Sequence, residues 1–144
     1  MIDFGPRSTP PAPSDVGAAL ARLGGVFRSM PESKLLGRLA DGRSRAAAGH
    51  ALAGESARAA QGMAERASQF PPVWRDVPYV GPFVVGDQLT VMAYELLAAL
   101  DEMGRGARPE GEKELAWSAP GERKGLDLML GELAARVREL SLAC

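Results

Sequence analysis

Large apolar residues recur along this chain at alternating steps of four and three, the spacing that gathers side chains on one face of an α-helix. Val16, Leu20, Leu23, Phe27 and Met30 form the first stripe. It opens behind Ser14, a good N-cap, with Asp15 near the positive helix end, and stops near Pro31. Gly24 and Gly25 each weaken this helix by roughly 1 kcal/mol relative to alanine, so it relies on packing. Val85, Leu89, Met92, Leu96, Ala99 and Met103, widened by Leu97 and Leu100, form another stripe that opens near Asp87 and ends at Gly104 and Gly106. Leu126, Leu130, Leu133, Val137 and Leu140 form the last, within a helix expected over Glu122 to Ala143.

The stretch Ala46 to Ala67 keeps the same spacing with almost no oil on it. Ala46, His50, Ala53, Ala57, Ala60, Ala64 and Ala67 make a heptad seam of small residues, preceded by a short apolar turn at Leu35, Leu36 and Leu39 and a break at Asp41-Gly42. The spacing predicts one continuous helix that ends by Phe70, because Pro71 and Pro72 push their predecessors out of the α region. Burying an alanine contributes about 0.8 kcal/mol, against about 1.5 to 3 for a leucine. The seam therefore holds nothing by hydrophobic area alone; its advantage is close approach between backbones, helped by Gly49, Gly54 and Gly62. Three uses follow: the central element of a monomeric bundle, an isologous two-fold contact with a second copy, or a surface for a different protein.

Between these helices, Pro71 to Gly86 is dense in Pro, Val and aromatic residues. Pro78 and Pro82 interrupt any strand ladder and no second strand is evident, so the segment reads as a packed loop presenting Trp74, Tyr79 and Phe83. Arg105 to Gly121 reads as a loop in which "EKELAW" could form a turn or two of helix seating Leu115 and Trp117. Residues 1–13, with Pro6, Pro10, Pro11 and Pro13, read as an extended tail whose Ile2 and Phe4 either tuck against the body or dock elsewhere. The expected fold is all-α: a four-helix bundle-like single domain over residues 14–144, with a long alanine-rich second helix and an N-terminal tail.

Composition changes this picture little. The 144 residues suit one domain, and a 6% aromatic content leaves the core to Leu, Val, Met and Ala. Net charge is −1, with 17 basic and 18 acidic residues and no long run of either sign, which argues against a nucleic-acid scaffold. Arginine far outnumbers lysine, and with so much Ala, Gly and Pro the usage suggests a GC-rich bacterial genome. Cys144 has no partner for an internal disulfide, the N-terminus lacks a signal-peptide pattern, and no stretch approaches about 18 apolar residues, so a cytoplasmic protein without a membrane span is expected.

Candidate chemistry is sparse. One histidine and one cysteine exclude the two-histidine and tetrahedral zinc motifs, and no Glu-x-x-His pair occurs. "GARPEGEKE" has glycines five apart, but Glu112 intrudes before Lys113 and no Ser or Thr follows, so it is not a phosphate loop. Asp101-Glu102 and Glu110, Glu112 and Glu114 read as solvated charge, and Arg38, Arg43, Arg45 and Arg58 as an ordinary helix face. No catalytic or cofactor-binding constellation emerges. The reading is a non-enzymatic interaction or structural protein that self-associates, as a homodimer, or binds another protein through Ala46, His50, Ala53, Ala57, Ala60, Ala64, Trp74, Tyr79 and Phe83. A ligand-binding bundle lined by Met92, Met103 and Met129 is the alternative.

Overall fold

The computed structural model describes residues 13–105 and 114–144. The expected tail and the "GARPEGEKE" segment therefore lie almost wholly outside the described residues. The chain is mostly helical. Helix α1 spans Pro13–Arg28, a short α2 Glu32–Leu35, α3 Arg45–Ala64, α4 Val85–Arg105 and α5 Leu126–Ala143, with one 3₁₀ turn at Pro82–Val84 before α4. Pro13 occupies the first position of α1, where a missing amide costs nothing.

The apolar stripes become the core. Val16, Leu20, Leu23, Phe27 and Met30 of α1 are all buried, as are Leu126, Leu130, Leu133, Val137 and Leu140 of α5. On α4, Val85, Leu89, Leu96, Ala99 and Met103 are buried and joined by Ala93, while Met92 is half-buried. The most extensive pairing is α1 with α4, followed by α3 with α4; α5 lies against α1 and α3. At the α1–α4 crossing, Gly24 faces the Gly86 backbone and Thr90, so one of the two glycines that weaken α1 is used for close approach. Gly25 faces open space.

Besides the start of α1, where Ser14 falls inside the helix rather than at its N-cap, two boundaries differ from the sequence expectation. Glu122–Gly125 is not the first turn of α5 but strand β2, paired antiparallel with β1, Leu115–Ser118, in the register Leu115 with Gly125 through Ser118 with Glu122. The "ELAW" segment is thus extended rather than helical, because β1 docks on α3 and buries Ala116 and Trp117 there. Tertiary contact overrides a local pattern too short to decide.

The second difference is that α3 stops at Ala64, six residues before Phe70. Past Ala64 the carbonyls of Arg66 and Ser68 are taken by the hairpin: Arg123 donates to both, at 2.5 and 2.8 Å, and Trp117 Nε1 donates to Ser68 at 3.3 Å. The Arg123 guanidinium also lies 4.0 Å over the Trp117 ring. At its other end α3 starts cleanly, with Ser44 Oγ accepting from the Ala47 amide at 3.0 Å.

Among the described residues, one helical stretch, Pro82–Gly104, is long and apolar enough by length and composition to cross a membrane. Its core-facing stripe is the one that packs on α1 and α3.

Candidate functional site

The alanine helix is enclosed on more than one side. Ala46, Ala53 and Ala60 of the expected seam are buried within the chain; Ala57 and His50 are half-buried, Ala64 is exposed, and Ala67 lies beyond the helix. The core face includes residues the seam omitted, Gly49, Leu52, Ser56 and Met63. Ser56 is fully buried at no polar cost, since its hydroxyl donates to the Leu52 carbonyl at 2.8 Å. Close approach occurs at two glycines. A methyl group on Gly49 would meet the Phe27 ring and the Val85 side chain at 2.8 Å, and one on Gly62 would run into the Trp117 carbonyl.

His50, Ala57, Gln61 and Ala64 share one helical face by their spacing, and the long connection between α3 and α4 is anchored to it. The His50 ring donates from Nε2 to the Val77 carbonyl at 2.6 Å and meets the Tyr79 ring edge-on, 5.3 Å between centroids. Gln61 donates to the Val73 carbonyl at 2.8 Å and accepts from the Arg75 amide at 3.1 Å. From α4, Gln88 donates to the Pro78 carbonyl at 2.7 Å. Trp74, half-buried, donates to the Pro120 carbonyl of the hairpin at 3.4 Å. These side-chain bonds stand in for a backbone ladder that Pro71, Pro72, Pro78 and Pro82 cannot form. His50 is accordingly a tether for this connection.

With its backbone fixed inward, the connection keeps Val77 against the core and turns five other large apolar side chains outward. Phe70 is 74% exposed, Val73 90%, Tyr79 50%, Val80 61% and Phe83 61%. Of the three rings singled out in the sequence, Tyr79 and Phe83 belong to this ridge and Trp74 to its anchoring. Phe70, Val73 and Val80 were missed because prolines and turns give them no periodicity. On α4, Val91 and Tyr94 add two more exposed apolar groups three residues apart. The signal for this pair was present: both fall outside the buried stripe.

Little else gathers. Among the described residues no group of three or more His, Cys, Asp or Glu could hold a metal ion. The arginines expected as a solvated face are partly engaged in chain turns: Arg38 donates to the Gly42 carbonyl, Arg43 pairs with Asp41 at 2.8 Å, and Arg45 donates to the carbonyls of Lys34 and Ala143. Hydrogen bonds from the Arg43 amide and guanidinium hold the Asp41 carboxyl below its ordinary range, and burial pushes the Cys144 thiol above its own. Of the methionines expected to line a ligand cavity, Met103 is packed in the core, while Met129 borders a surface hollow beside Trp117. Compared with protein-family models, curated proteins and solved structures, the chain matches none.

Proposed function

We propose that this chain is a non-enzymatic interaction protein, a four-helix bundle whose docking surface is the ridge Phe70, Val73, Tyr79, Val80 and Phe83. The supporting observation is that five large apolar side chains within one connection stand half or more exposed while the backbone between Val73 and Pro78 is tied to α3 and α4. Exposed large apolar side chains favour association, and each is worth about 1.5 to 3 kcal/mol if fully buried. A backbone already anchored saves part of the ordering cost that a free loop would incur on binding. The occupant is a protein, a second copy of this chain included. Self-association in this reading runs through the ridge, since Ala46, Ala53 and Ala60 are already covered.

A photocrosslinking amino acid at Phe83, compared with one at Arg138 on α5, tests the reading in cells of the source organism. A discrete protein adduct, to this chain or another, is expected from position 83 and not from position 138. No adduct at 83, or the same adducts from both positions, would overturn it.

A further inference from the structure

On the flank of α3 away from the anchored connection, α3 and α5 meet over a much smaller area than α1 and α4 do. The gap holds two adjoining hollows of about 330 and 270 Å³. Glu55 of α3 and Arg136 of α5 line both and pair at 3.1 Å. The first hollow is walled by Leu39, Ala48, Ala51, Leu52, Leu140 and Ala143, and the small residues of α3 leave it unfilled. The second, floored by Met129 and Leu133, carries the cations Arg58, Lys124 and Arg136.

Charge along the groove is polarised. Beyond the shared pair, the apolar hollow holds Asp41, Arg43 and Glu139; Asp41 and Arg43 neutralise each other at 2.8 Å, which leaves the Glu139 carboxylate. The other hollow holds Arg58, Lys124 and Glu132; Lys124 and Glu132 pair at 2.9 Å, which leaves the Arg58 guanidinium. The Glu55–Arg136 and Lys124–Glu132 pairs are a third to a half exposed, so an incoming anion displaces their carboxylates at small cost.

We propose that this groove binds an aliphatic carboxylate, its chain along Ala48, Ala51 and Leu52 and its carboxylate between Arg58 and Arg136. Planar guanidinium forks match carboxylate oxygens, and Glu139 opposes the reversed orientation. A hollow of this size accepts a small ligand. The site is separate from the apolar ridge and stands or falls independently of it.

Octanoate is the probe, titrated into isotope-labelled full-length protein and followed by amide shifts, with unfolding midpoints recorded for every variant. Saturable shifts confined to residues 39–59, 117–124 and 129–143 are expected, with octan-1-ol and octylammonium binding at least tenfold more weakly. Arg58→Gln should weaken octanoate about tenfold, as loss of a charge-assisted contact does. Glu55→Gln should tighten it about threefold by releasing Arg136, a gain that a cation site could not give. Ala51→Phe, at an exposed position, should abolish binding while the protein stays folded. Absence of saturable shifts, shifts elsewhere, equal binding of octan-1-ol, weakening by Glu55→Gln, or full binding by folded Ala51→Phe would each overturn the proposal.

Discussion

Small side chains along α3 are put to opposite use at different positions. Toward the core and the hairpin, Gly49 and Gly62 sit where another group has closed to contact, the Phe27 ring in one case and the Trp117 carbonyl in the other. Toward α5, Ala48 and Ala51 border an open groove. A small side chain sets only how near a neighbour can come; the neighbour decides whether it does. The hairpin comes close because Trp117 and Arg123 reach past α3 to bond the carbonyls that follow it. Two turns earlier, on the face that also carries Gly62, the Glu55–Arg136 pair spans the gap between α3 and α5.

The sharpest way to break this contrast is Gly62→Ala. Its methyl group meets backbone, which cannot rotate away, so the hairpin must shift; a loss of about 3 kcal/mol is expected from urea unfolding, the upper end of ordinary overpacking. A loss near zero would mean that the hairpin does not close on α3. Gly49→Ala should cost less, about 1 to 2 kcal/mol, because Phe27 and Val85 are side chains that can give and because alanine returns about 1 kcal/mol of helix propensity.

His50→Ala should cost about 1 kcal/mol by removing the bond to Val77 and the contact with Tyr79. Its diagnostic sign is local: tryptic cleavage after Arg75 should accelerate more than cleavage within the helices, and unchanged cleavage would show that the tether does not hold the connection. Smallest of all is Ala51→Phe, which adds far more volume than Gly62→Ala yet should move stability by no more than about 0.5 kcal/mol, since its side chain enters an open groove. A large loss there would mean that the groove beside α5 is as closed as the contact at Gly62.

Much of this architecture was legible in the hydrophobic spacing. The stripes of α1, α4 and α5 needed only periodicity, since leucine, valine and phenylalanine at helical intervals have few other ways to be buried. Alanine carries a weaker message. Ala46, Ala53 and Ala60 read as a face for a partner, and the chain itself covers them; nothing about an alanine names its neighbour. The hairpin was harder: Leu115 to Ser118 is four residues of mixed character, and what makes it a strand is its register with Glu122–Gly125 and its seat on α3, both non-local. The two flanking strands around Pro120-Gly121 were nonetheless a usable turn signal. The ridge was half visible through Tyr79 and Phe83; its exposure depends on His50, Gln61 and Gln88 tying down carbonyls far along the chain.

The central structural claim is that the alanine helix is covered by its own chain, and amide hydrogen exchange at low and high protein concentration tests it most directly. Amides from Gly49 to Met63 should be among the slowest in the protein and equally slow at both concentrations. Fast exchange in dilute solution that becomes slow only as copies are crowded together would contradict it, and would return the seam to the surface between two molecules.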